Sequence, residues 1–255
     1  MHAFQVHSKQ RPCLVTGKIV FTNLQWIHRH ALLSGYAAPP AGAKMTKGLA
    51  AHWFFDVVSP FSYLHLRQFG ELHPSLELKL VPVLFAGLLR RWGTKGPAEL
   101  PSKRIHTYRY CAWAASRHGI PFRMPPRHPF NPLSTLRLLV ALGAARSQVE
   151  QAFDFIYGQG RDPERDWRGL CDALHVTDAD ALVADPAVKQ QLIANTEQAA
   201  DAGVFGVPTF VVRGQLFWGA DTIEWMNAFV DDPGMFERGE MSRAAQIEFG
   251  VHRKP

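Results

Sequence analysis

No Cys-x-x-Cys pair occurs anywhere in these 255 residues, and the three cysteines, Cys13, Cys111 and Cys171, lie far apart. An odd, sparse set argues against a disulfide framework and fits a reducing compartment, so a cytoplasmic setting is expected. The missing pair also disfavours a disulfide oxidoreductase. Acidic residues are missing from positions 1–55, which carry Lys9, Arg11, Lys18, Arg29, Lys44 and Lys47. Those six cations account for the whole formal charge of +6, so residues 56–255 are formally neutral. A body without a basic stripe is not expected to bind nucleic acid. Long apolar runs are lacking too: none approaches the ~18–20 residues that cross a bilayer, and no membrane partner is expected. The twelve histidines include neither an HExxH motif nor paired Cys/His spacing, so no metal site is expected.

What is present is ordinary globular chemistry, 47% hydrophobic and 20% charged residues. The length suits one large domain or a domain carrying a sizeable insertion. Residues 1–44 lack sustained periodicity and end in Ala37-Ala38-Pro39-Pro40-Ala41-Gly42-Ala43-Lys44 before Met45. Residues 1–51 are therefore expected to be a disordered extension, with Met45 a candidate natural start. An organellar transit peptide is the alternative, for which two arginines and two serines are a poor match.

From residue 52 the pattern becomes periodic. The aromatic and β-branched run His52–Val58 predicts a buried strand, and Pro60–Leu72 predicts a helix with proline at its first position. Leu76–Val83 alternates and then turns apolar, a second strand, which makes a right-handed βαβ unit. Residues 86–203 carry almost only helical signal, with helices expected over Lys103–His118, Leu133–Gly143, Gln148–Tyr157, Asp166–Leu174, Asp178–Ala184 and Pro186–Ala202. A proline-rich loop, Pro121 to Pro132, interrupts them. Two short apolar runs, Val207–Val212 and Gln215–Trp218, flank Arg213-Gly214 as a hairpin, and Asp221–Val230 closes with a helix. The fold class is α/β, in the thioredoxin order. Residues 52–85 and 204–235 form the thioredoxin-like domain, 86–203 an inserted helical domain and 236–255 a tail.

Three segments carry the chemistry. Ser59-Pro60 starts a helix directly after a strand. There, free backbone N–H groups and the positive end of the helix dipole converge on one point. Most Ser-Pro pairs merely cap helices. In thioredoxin-like proteins, however, this point holds a reactive cysteine, so here the sulfur must come from elsewhere. A thiolate brought to Ser59 would be stabilised by those donors and by the hydroxyl. Serine without a base is a weak nucleophile, which favours Ser59 as holder rather than attacker. Val207-Pro208 sits where a thioredoxin fold places a cis-proline, whose preceding backbone can pair with a bound peptide. Asp221 begins a capping box, Asp221-Thr222-Ile223-Glu224, and a carboxylate at that helix start can also grip a γ-glutamyl group. Trp218 reads first as core, and Cys111 and Cys171 as small core residues. Arg90, in the cationic stretch after the second strand, and Asn131, in the proline-rich loop, are candidate contacts to an anionic substrate.

Taken together, Ser59-Pro60-Phe61-Ser62-Tyr63-Leu64, Gly206-Val207-Pro208-Thr209-Phe210 and Phe217-Trp218-Gly219-Ala220-Asp221 resemble the 2-hydroxychromene-2-carboxylate isomerases. Lys103-Arg104 and Gly119-Ile120-Pro121-Phe122 are similar to that family's inserted segment. These enzymes belong to the kappa-class glutathione transferase and DsbA-like branch of the thioredoxin superfamily. The resemblance spans about residues 52–235. It implies a glutathione-dependent isomerase of naphthalene-type aromatic catabolism, acting on an aromatic carboxylate and forming a homodimer. Ser59 would contact the glutathione sulfur. The backbone of Val207, with Pro208, would bind the cysteinyl part, and Trp218, Gly219, Ala220 and Asp221 the γ-glutamyl part. In that family the thiolate adds to the hydroxychromene, the ring opens, a bond rotates and glutathione leaves, giving trans-o-hydroxybenzylidenepyruvate. Thr222 stands where many members have arginine, and the family's substrate-contacting lysine has no secure counterpart. A kappa-like transferase or peroxidase and a non-catalytic binding module are the other readings.

Overall fold

The structure, a computed structural model, describes residues 48–248, 250 and 251. Of the extension expected over 1–51, residues 1–47, with Cys13 and Met45, lie outside the described residues, while Leu49–Ala51 are not disordered but begin the first strand, paired with Leu76–Leu78.

Four strands form one sheet in the order β2-β1-β3-β4. Strand β1 (Leu49–Phe55) pairs in parallel with β2 (Leu76–Pro82), through helix α1 (Pro60–Leu66). Antiparallel to β1 runs β3 (Thr209–Val212), which turns into β4 (Gln215–Trp218). The two-residue turn uses Arg213 and Gly214 at φ 49° and 77°. Both angles are positive, as the twist of a tight hairpin requires, and glycine meets that need without steric cost.

Period-two alternation decides which side each residue serves. Ala51, Trp53 and Phe55 of β1, with Phe210, Val212 and Phe217, face the larger core. Phe54, Val81, Val83 and Val211 face the smaller one. The helices between the two halves of the sheet cover both faces. Helices α2 (Phe85–Trp92) and α8 (Pro186–Asp201) close the smaller core through Leu88, Ala199 and Ala200. On the larger side lie α1, α4 (Leu133–Ala141), α5 (Arg146–Phe153) and α9 (Ile223–Asp231), contributing Tyr63, Leu136, Phe153 and Phe229. Helix α3 (Pro101–Arg117) buries Cys111 and Ala115 there and leaves Trp113 and Ile105 outside. Helices α6 (Trp167–Ala173) and α7 (Ala179–Ala184) complete that layer, and α10 (Gly239–Ala244) is the last helix among the described residues.

Several boundaries differ from expectation. The first strand spans Leu49–Phe55 rather than His52–Val58, because Asp56-Val57-Val58 break away into a turn. The first helix stops at Leu66, and Phe69–Glu71 form a separate 3₁₀ turn. The expected single helix Gln148–Tyr157 is α5 followed by a π-turn, Asp154–Gly158.

Candidate active site

Four residues join β1 to α1, and Asp56, Val58 and Ser59 among them carry a dense set of hydrogen bonds. Asp56 is completely buried. Its Oδ1 accepts the Val58 N–H at 2.9 Å and its Oδ2 the Phe85 N–H at 2.8 Å, so one carboxylate ties the turn to the start of α2. Burial pushes its pKa up to about 7, against the pull of those two bonds. The Ser59 N–H donates to the Asp56 carbonyl at 3.0 Å.

Ser59 is the N-cap of α1, and Pro60 takes the first helical position, where a missing N–H is harmless. Its Oγ accepts the Ser62 N–H at 3.2 Å and donates to the Val207 carbonyl at 3.4 Å. That second bond spans 148 residues and brings together the two motifs that the sequence singled out. The Val207–Pro208 peptide bond is cis. Neither the Phe61 N–H nor the Val207 N–H donates to any group among the described residues. The site therefore presents one hydroxyl and two unsatisfied backbone donors, a set suited to an anionic sulfur and a peptide backbone.

Behind Ser59, the Val58 carbonyl accepts from His128 Nε2 at 2.6 Å and from the Tyr157 hydroxyl at 2.8 Å. His128 Nδ1 lies 2.6 Å from the Tyr108 hydroxyl, which also approaches the His128 carbonyl at 2.9 Å. Burial lowers the His128 pKa, partly opposed by its bond to Val58. Burial also raises Tyr157 well above the ordinary phenol range, with a contribution from the Asp56 charge. Both groups are thus uncharged near neutral pH. The thiol of Cys111 is pushed up to about 12 by burial and offers no nucleophile. Sequence reading missed Asp56, His128, Tyr108 and Tyr157. The proline-rich loop around His128 was visible, but its partner is 70 residues away.

Across the site the γ-glutamyl candidates form an open rim. Trp218 is 52% exposed, which corrects its reading as core. It packs edge-on against Phe205, itself 45% exposed, at 5.0 Å between ring centres. Gly206 makes room for it, since a Cβ there would sit 2.6 Å from Trp218 Nε1. The Gly219 N–H donates to the Pro208 carbonyl at 3.0 Å, which fixes the turn leaving β4 beside the cis peptide. Ala220 is half-buried and Asp221 exposed.

Asp221 does not cap α9. Thr222 occupies the cap position without a side-chain cap bond, and its Oγ1 donates to the Gly219 carbonyl at 3.0 Å. The turn at Gly219, with φ 112°, sets the helix start one residue later than the capping box required. Arg90 is exposed on α2. Asn131 is exposed too, and its Oδ1 accepts the Leu133 N–H at 3.1 Å, a local turn bond just before α4. An open groove of about 540 Å³ follows the outer face of α3 along Ile105, Arg109 and Trp113, and contains neither Ser59 nor Val207.

Comparison with known proteins places this arrangement. A family model described as a DSBA-like thioredoxin domain matches residues 52–231. A 2-hydroxychromene-2-carboxylate isomerase from Sphingobium xenophagum is 28% identical over 199 residues, covering 74% of this chain and 100% of that protein. A glutathione S-transferase kappa 2 from Caenorhabditis elegans is 28% identical over 206 residues, covering 71% of this chain and 91% of that protein. Among solved structures, a 2-hydroxychromene-2-carboxylate isomerase shares the fold with a TM-score of 0.64 at 20% identity, covering 78% of this chain and 100% of that chain.

Proposed function

The chain belongs to the DSBA-like thioredoxin domain family, and from that premise we propose that it is a glutathione-dependent isomerase converting 2-hydroxychromene-2-carboxylate to trans-o-hydroxybenzylidenepyruvate. The observation that carries this reading is the Ser59 hydroxyl held at the start of α1, facing the Val207 carbonyl, where the fold's redox members need a cysteine. Bound glutathione supplies a sulfur nucleophile that adds reversibly to a conjugated double bond, making it single long enough to rotate.

This chain's residues perform the rest. Ser59 Oγ turns from the Val207 carbonyl to donate to the sulfur, and the unsatisfied Phe61 N–H adds a second donor. The half-positive start of α1 lowers the thiol pKa further. The Val207 N–H, released carbonyl and exposed Trp218 receive the peptide portion, while Asp221 meets the γ-glutamyl ammonium. An ultraviolet assay on 2-hydroxychromene-2-carboxylate with and without glutathione tests the proposal. An isomerase needs glutathione catalytically and returns all of it; a rate indifferent to glutathione would sink the reading.

A second reading is favoured by the likeness to kappa-class transferases. It uses the same thiolate and releases a conjugate or oxidised glutathione, so stoichiometric loss of free thiol during turnover selects it. A non-catalytic binding module would show glutathione affinity without turnover, or neither.

A further inference from the structure

The peptide unit joining Val58 to Ser59 is a rigid plane, and both of its polar ends are held. Its N–H is bound by the Asp56 carbonyl, and its oxygen takes two side-chain donors, His128 Nε2 and the Tyr157 hydroxyl. A plane pinned at opposite ends cannot rotate, so the Cα of Ser59, from which the hydroxyl projects, is set from behind. We propose that His128, oriented by Tyr108, is a positioning residue for the sulfur site, and that with Tyr157 it holds the Ser59 backbone in place opposite Val207, so that the hydroxyl projects into the space between them. The proposal rests on the thiolate reading above.

The hydrogen-bond chemistry selects one form of the ring. A carbonyl only accepts, so Nε2 carries the proton, and in a neutral imidazole Nδ1 must accept, which the Tyr108 hydroxyl allows. The Tyr108 hydroxyl can instead donate to the His128 carbonyl, so a protonated ring also finds a partner and the Nε2 bond survives either way. The groups facing this cluster are few. Tyr108 and Cys111 come from α3, with Arg104 acting on Tyr108, while Tyr157 comes from the π-turn and Asp56 from the turn itself. Packing alone would be served by phenylalanine, as it is at the neighbouring Phe122 and Phe153. Instead, two polar rings converge on one half-buried carbonyl oxygen from positions 70 and 99 residues downstream.

The test measures the ionisation of bound glutathione by ultraviolet thiolate absorbance across pH, beside its affinity and the thermal midpoint of each protein. His128→Phe removes the donor while keeping bulk, and His128→Gln supplies an amide N–H of similar reach. The thiol's apparent pKa is expected to rise by about one unit in His128→Phe, up to a tenfold loss of thiolate near neutral pH. It is expected to return most of the way in His128→Gln and to rise by less in Tyr108→Phe and Tyr157→Phe. Nitrogen NMR of the ligand-free protein should show the proton of His128 on Nε2. A purely structural role would lower thermal midpoints while leaving the thiol pKa in place, and that result overturns the proposal, as does a neutral ring whose single proton is on Nδ1. If His128→Phe fails to fold, an unmoved thiol pKa in both tyrosine variants overturns it equally. A wild-type protein that never ionises glutathione removes the function itself; one that ionises it identically in folded His128→Phe removes only this inference.

Discussion

The two walls of the Ser59 site are built on opposite plans. On one wall, the turn Asp56–Ser59, the side chains of Asp56 and Ser59 are buried and the polar groups are densely bonded: a carboxyl group with two N–H partners and a carbonyl with two side-chain donors. On the other, formed by Phe205 and Val207 and by Trp218 to Asp221, the Phe205 and Trp218 rings stand half in solvent and the Val207 N–H has no partner among the described residues. The difference separates two tasks. Stabilising a charge requires donors that are already in place, because reorganisation at the moment of reaction is costly. Gripping a flexible tripeptide requires open surface and unpaired backbone groups, which a saturated wall cannot offer.

The largest expected break concerns the closed wall. Asp56 has a folded pKa near 7, above its unfolded value, so the native state holds a proton that the unfolded chain has already lost. Its contribution is complete below pH ~4 and is lost as pH rises toward 7, on the order of 4 kcal/mol over that window. In Asp56→Asn the amide nitrogen confronts one of the two N–H donors, leaving it unsatisfied. Chemical denaturation should therefore find the wild type's advantage over Asp56→Asn greatest near pH 4 and shrinking toward pH 8. An advantage that grows with pH would contradict the assignment.

Next in size is Ser59→Ala, which removes the hydroxyl donor from the sulfur. Glutathione-dependent turnover is expected to fall about 10²-fold, the scale of losing one preorganised donor to a developing anion. Loss of the cap bond to Ser62 should cost about 1 kcal/mol in stability. The closed wall survives, so circular dichroism should be unchanged.

On the open wall the effects are gentler. Gly206→Ala places a methyl against the Trp218 indole, which is free to swing outward because it is half in solvent. Glutathione affinity is expected to weaken by about tenfold, the scale of one aromatic contact together with a displaced peptide neighbour. Stability should barely move, and calorimetric titration separates the two. Smallest is Asn131→Ala, which loses only a helix-start bond to Leu133. Its cost is at most about 0.5 kcal/mol in stability, with turnover unchanged.

The same contrast explains what was readable beforehand. Strand, helix and hairpin order followed from local periodicity, and the meeting of Ser59 with Val207 followed from motif order. Chain ends of elements did not, because Asp56 pulls the backbone out of β1 by bonding to Phe85, a partner 29 residues on. Nor did the donors on Val58, since nothing within a local window links residue 58 to 128 or 157. Trp218 read as core because indoles usually are; its exposure is set by Gly206 beneath it and by the edge position of β4. Asp221 carried a sound capping pattern that the turn at Gly219 displaced by one residue.

The π-turn Asp154–Gly158 has a consequence for how this lineage can diverge. Such a wide turn holds one residue more than an α-helix needs over the same length, and so rotates all that follows by roughly 100°. With it, Phe153, Phe155, Ile156 and Tyr157 are all buried, while Asp154 among them stays partly exposed. Deleting a single codon there would leave a smooth, well-bonded spiral whose phenol no longer reaches Val58. Length variation at this spot, rather than substitution of the tyrosine, is the simplest genetic route by which a sister protein would surrender that brace.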